Sequence, residues 1–321
     1  MIVNRRIRFE YPERTEPIWT PRRPEFACAA NSVSLMMPII EPYFVRSARR
    51  AQPLLPDDLA AVTQQYLEQE AQHFTQHVVF NRRLNARYPR LARTEAVMSR
   101  IYRWIEDKFS LEFSCAFAAV SETMAYSAAR WAADNRTELF ADADEVSASL
   151  FLWHLAEEVE HKSVAFDIHR HVVEQQDRRK FSRLRYLTAM VVALTLVISF
   201  VVWGTSVMLA RERRLHHPLA WFRLLRWSFV FAFELLTNLT LSLLPGFHPT
   251  DLTDPLWYEV WLREFDSETS TFPVWTEVPP ALGIPTQLSS AGSERDRSEN
   301  CEERGSGSTR PVPGRGAAGR R

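Results

Sequence analysis

Two segments of the 321-residue chain carry a glutamate and a histidine three positions apart. In YLEQEAQHFTQHVVFN, Glu70, His73, His77 and Asn81 recur at spacings of three and four. At about 100° per residue they share roughly 80° of helical arc, a polar stripe bordered by Phe74, Val78, Val79 and Phe80. In FLWHLAEEVEHKSVAFD, His154, Glu158 and His161 fall within about 60° of arc, whereas Glu160 points to nearly the opposite side. Glu160→Ala is therefore expected to leave metal content nearly intact. A Glu and a His on one helical face offer an oxygen and a nitrogen to the same metal ion. Glu157, just beside this face, is a hydrogen-bond partner for a ligand or an alternative carboxylate ligand, and Lys162 and Asp167 are expected to orient ligands from further out.

A pair of divalent ions is best neutralised by about four carboxylates, so two more acids are needed. Glu122 is the lone acid in FSCAFAAVSETMAYSAARW, on a face of Cys115, Ala118, Ala119, Ala125, Tyr126 and Ala129 whose small residues leave space for ions or substrate. Glu41 is the lone acid in NSVSLMMPIIEPYFVRSARR, where Pro38 and Pro42 place it at a helix start or kink.

The order Glu41, Glu70 with His73, Glu122, Glu158 with His161 resembles the ferritin-like di-iron carboxylate superfamily, in which four antiparallel helices supply ligands in that sequence. His154 resembles the third histidine of para-aminobenzoate N-oxygenases and related arylamine oxygenases. QEAQHFTQHVVFN and WHLAEEVEHKSVAFD are similar to the two signatures of a bacterial family of predicted metal-dependent hydrolases, a resemblance that covers about residues 1–285. Such proteins carry Gly immediately before the first-helix Glu, and here Ile40 stands in that place.

The resemblance implies two metal ions, iron first, with manganese or zinc as alternatives, held by Glu41, Glu70, His73, Glu122, His154, Glu158 and His161. Three functions follow. One is an oxidase or oxygenase, in which ferrous ions and O2 oxidise a small-molecule substrate, an electron donor restores the metal and Tyr126 lines the access path. The second is a hydrolase using metal-activated water, with His77 or Glu157 as the base. The third is a membrane-associated iron buffer.

The elements that must position these residues are helices: glycine is scarce and no apolar/polar alternation bounded by turn residues marks a strand. The pattern predicts helices over 26–50, 57–86, 92–133 with a break near Lys108–Ser110, and 145–180. The fold class expected is all-α, a ferritin-like antiparallel four-helix bundle over 26–185 preceded by an extended arm over 1–25. An apolar helical hairpin follows over 186–246. Its first limb, Tyr186–Ala210, lacks any charge over about 25 residues, enough to span a bilayer; the second, Trp227–Leu244, contains Glu234 and either returns across it or lies in the interface. A cap segment over 247–286 and a disordered Ser/Gly/Arg-rich tail over 287–321 complete the chain. Lys+Arg equal Asp+Glu at 39 each, which disfavours nucleic acid as a partner. Three separated cysteines suit a reducing compartment, and the N-terminus lacks the apolar core of a secretory signal. The bundle is therefore expected in the cytoplasm, on the cytoplasmic side of a membrane, with a lipid-like substrate if the hairpin touches the bilayer.

Overall fold

The computed structural model describes residues 2–12, 16–140, 142–175 and 182–264. The expected tail, the end of the cap segment and the last residues of the 145–180 helix lie outside them. Nine α-helices and no strand are found among the described residues: α1 (Pro24–Ala51), α2 (Asp57–Arg87), α3 (Leu91–Lys108), α4 (Leu111–Phe140), α5 (Glu145–His161), α6 (Val164–Gln175), α7 (Ser182–Arg211), α8 (Pro218–Ser242) and α9 (Leu256–Glu264).

Local chemistry explains most boundaries. Pro24 opens α1, where its missing N–H costs nothing. Asp57 and Asp58 place negative charge in the first turn of α2. Asp144 caps α5 by accepting from the Ser147 amide at 2.9 Å. The segment expected as one helix over 145–180 divides at Lys162–Ser163, directly after His161. No Gly or Pro marks this break. Lys162 keeps right-handed helical dihedrals there, and its side chain donates to the Leu252 carbonyl at 3.1 Å and pairs with Asp254.

Helices α1, α2, α4 and α5 enclose the interior, with α1 against α2 and α4, and α5 against α2 and α4. Among its described residues the arm before α1 has no regular structure, and it turns Ile2, Arg5, Ile7 and Phe9 inward. Trp19 then stacks on Phe151 at 4.9 Å. Helices α7 and α8 lie along the bundle: α7 packs on α1 and α4, and α8 mainly on α4. Gly204 permits this approach, since a Cβ there would come within 2.7 Å of Ser32 Oγ, itself bonded to Thr205 Oγ1 at 3.1 Å. The inner face of α7 buries Ala189, Met190, Ala193, Phe200 and Met208. Its outer face, with Leu187, Val191, Ile198 and Val202, is exposed, as are Phe222, Leu225, Phe229 and Phe233 of α8. Among the described residues α7 is the one helix long and apolar enough to cross a membrane by length and composition.

Candidate metal centre

All seven expected ligands are buried, and they converge from the four enclosing helices. Glu70, His73, Glu158 and His161 each offer one ligand atom, all within 4.8 Å of one another; Glu41, His73 and His154 form a second such group sharing His73. Glu122 Oε2 lies 3.8 Å from His161 Nδ1, which is 3.0 Å from Glu70 Oε1 and 3.7 Å from Glu158 Oε2. His154 Nε2 approaches Glu158 Oε1 to 2.7 Å and Glu41 Oε1 to 3.5 Å. The expectation that Pro38 and Pro42 put Glu41 at a helix start or kink is corrected in part: α1 begins at Pro24 and continues through both prolines, so Glu41 sits well inside it.

The fit to metal ions rests on atoms left without partners. Both oxygens of Glu41 and of Glu70, His73 Nδ1, Glu122 Oε2, Glu158 Oε2 and His161 Nδ1 are buried and make no hydrogen bond. Burying an unsatisfied polar atom costs about 1–3 kcal/mol, more for a charged group, and here such atoms face one another. Four carboxylates balance two divalent cations, which would fill the vacant lone pairs. In the chain alone, burial and then the Glu70 carboxylate push Glu41 well above the ordinary carboxylate range. Burial and Glu158 do the same to Glu122. Burial, reinforced by His154, holds His73 far below the ordinary imidazole value. His161 moves the other way: burial opposes its charge, but the carboxylates of Glu158 and Glu70 outweigh it. Protons thus occupy positions that a cation would take.

Behind the ligands, the two Glu-x-x-His histidines are held alike. His73 Nε2 meets Glu157 Oε2 at 2.9 Å, and His161 Nε2 meets Gln69 Oε1 at 2.8 Å. Gln69 Nε2 donates to the Val3 carbonyl and to Glu160 Oε2, both at 2.9 Å, which turns its carbonyl oxygen toward His161. Gln69 is therefore an acceptor and His161 Nε2 carries a proton; with Glu157 ionised against Arg5 the same holds at His73, and each Nδ1 faces the centre as the atom a metal ion would take. Arg5 joins the two supports, donating to Glu157 Oε1 at 3.1 Å and to Glu160 Oε1 at 2.7 Å. Glu160 points away from the ligands, as its spacing predicts. It nonetheless accepts from Gln69 at 2.9 Å, and so belongs to the support behind His161.

His154 is oriented by a different chain. Pro38 has no N–H to give the Ser34 carbonyl, and Asn81 Nδ2 donates to that carbonyl instead, at 2.8 Å. Asn81 Oδ1 is thereby aimed at Ser34 Oγ, which donates to it at 2.6 Å. Ser34 Oγ must then accept from His77 Nδ1 at 2.7 Å, so the neutral His77 ring accepts at Nε2 from His154 Nδ1, 2.6 Å away. This leaves His154 Nε2 facing the anionic Glu158 oxygen at 2.7 Å, with only a proton or a metal ion able to lie between them.

His77 and Glu157, the expected bases, are thus committed to supporting His154 and His73. Tyr126, expected on the access path, is buried, but its hydroxyl donates to the Thr253 carbonyl at 2.9 Å, away from the ligands. Lys162 and Asp167 also face this segment, Asp167 pairing with His248 Nε2 at 2.9 Å, so neither orients a ligand. Residues beyond the sequence reading complete the centre. Tyr66 donates to Glu122 Oε1 at 2.8 Å and sets its ring edge against His161. It lies one turn before Glu70 on the same stripe, so its spacing was a usable signal; Arg5, Gln69 and Ser34 had none. Beside Tyr66, Cys115 and Ala118 there is a cavity of about 10 Å³, room for roughly one water rather than a substrate.

Comparisons with curated proteins and with solved structures return no match. A family model matches residues 3–253, from the arm that carries Arg5 to the loop that receives Tyr126, and the chain belongs to the family described as predicted metal-dependent hydrolases.

Proposed function

We propose that the chain is a two-metal hydrolase. The observation that carries this reading is the convergence of unpartnered carboxylate and imidazole atoms on one buried centre, in a chain of a metal-dependent hydrolase family. Glu41, Glu70, His73, Glu122, His154, Glu158 and His161 would hold the ions. Bound there, two divalent ions supply Lewis acidity, making a water nucleophilic near neutral pH and stabilising negative charge on a substrate oxygen. The protein's own part is positional: Arg5, Glu157 and Gln69 fix two imidazoles, while His77, Ser34 and Asn81 fix the third. Iron, manganese and zinc all suit this donor set.

A second reading, oxidation by O2, is favoured by one observation. Both residues suited to act as a hydrolytic base already support ligands, whereas the Tyr66 phenol donates directly to Glu122. The deciding experiment is metal content per chain after anaerobic purification, followed by an optical spectrum on admitting O2 and assays with chromogenic esters and phosphoesters. About two ions per chain, turnover of an ester and no optical response to O2 are expected. A visible band developing from a ferrous form would transfer the assignment to the second reading, and fewer than about one ion per chain would overturn both. Binding of many irons per chain would mark a storage role instead.

A further inference from the structure

Where α6, the start of α7 and the end of α8 come together, the surface opens into a cavity of about 300 Å³. Its wall is of two kinds. Arg170 of α6 and Arg183 in the first turn of α7 supply two exposed guanidinium groups, neither in an ion pair among the described residues. His169, buried with its Nε2 unpartnered, also lines the cavity. The remaining wall is largely apolar, including Phe166, Leu243 and Phe247.

The cavity stands at the border of the exposed apolar faces described above. Leu184 and Leu187 follow Arg183 on α7, and Leu236 and Leu244 lead to the opposite lip; all four are exposed. Apolar side chains in such continuity on a soluble surface mark a contact with an apolar phase or partner, and arginines at the border of an apolar helical face match anionic headgroups above hydrocarbon. A free anion would call on the arginines alone. An anion tethered to acyl chains also accounts for the apolar wall and the faces beside it.

We propose that this cavity receives the headgroup of a net-anionic bilayer phospholipid, with the outer faces of α7 and α8 resting in the hydrocarbon border. The site is separate from the metal centre, and its assignment does not depend on the metal reading.

The test is co-flotation of the full chain with vesicles of phosphatidylcholine alone and of phosphatidylcholine mixed with phosphatidylglycerol, for the wild type and for the double variant Arg170→Gln/Arg183→Gln. Circular dichroism checks that both remain helical. The wild type is expected to prefer the mixed vesicles, the double variant to bind them roughly thirtyfold more weakly, and both to bind neutral vesicles equally. Arg226→Gln, an exposed arginine paired with Glu138 and outside the cavity, should stay near wild type. Equal wild-type binding to both vesicle types would overturn the proposal. Release of the wild type from mixed vesicles by millimolar inorganic phosphate would identify a free-phosphate site instead, and failure to bind any vesicle by a chain that dimerises in solution would make the apolar face an interface between copies.

Discussion

The interior between α1, α2, α4 and α5 and the outer face of α7 and α8 invert the usual distribution of polarity in opposite directions. Inside, Glu41, Glu70, Glu122 and Glu158 gather where apolar side chains would be expected; outside, Phe222, Leu225, Phe229 and Phe233 stand where charged ones would. Each arrangement is unfavourable for the chain alone, the first through desolvated charge and the second through exposed hydrocarbon. The interior shows what completes it, because its unpartnered atoms converge within ligand distances. The outer face carries no such internal geometry, and its complement has to be sought from the charges at its border.

The comparison can be broken most sharply at His161. His161→Ala removes one ligand and leaves Glu70 and Glu158 without their cation, so retention should fall to at most one ion per chain and stability by about 3–5 kcal/mol. Metal analysis and thermal unfolding read both, and an unchanged metal content would rule out the centre as drawn. A smaller effect is expected from Arg5→Gln, which leaves every ligand in place but loosens the supports of His73 and His161. Metal affinity should weaken roughly 10- to 100-fold, with partial recovery in Arg5→Lys; equal affinity in Arg5→Gln and wild type would show that the two supports act without it. The smallest change in folded stability belongs to Phe229→Ser/Phe233→Ser, within about 0.5 kcal/mol, since both side chains are already exposed. That pair should instead lose vesicle binding in the flotation assay. A large drop in melting temperature would mean that these side chains pack against something in the folded protein after all.

How far the sequence can be read follows from the same contrast. The convergence of the candidate ligands was legible because a helix converts spacing into direction: Glu70 with His73, and Glu158 with His161, must share a face, and a lone acid such as Glu122 in an apolar helix is conspicuous. The supports were largely hidden, because nothing local relates Arg5 to Glu157 and Glu160, more than 150 positions away. Tyr126 was named for the access path because it shares the face of Glu122, but four residues of helix turn its hydroxyl toward Thr253, and the tyrosine that meets Glu122 is Tyr66 from another helix. The division after His161 was missed because no Gly or Pro marks it in the sequence. Hydropathy located α7 and much of α8 but could not tell a face buried against α1 and α4 from one turned outward, since both are apolar.

Pro38 gives the orientation of His154 an unusual dependence. A proline inside a helix is a defect by the standards of secondary structure, worth about 3 kcal/mol relative to alanine in a simple helix. Here the missing amide releases the Ser34 carbonyl to Asn81, and the alignment of Ser34, His77 and His154 follows from that release. Pro38→Ala would offer α1 a regular hydrogen bond and set that amide in competition with Asn81. Thermostability and side-chain alignment are thus opposed at this position, and selection for a sturdier helix would erode the order of Ser34, His77 and His154.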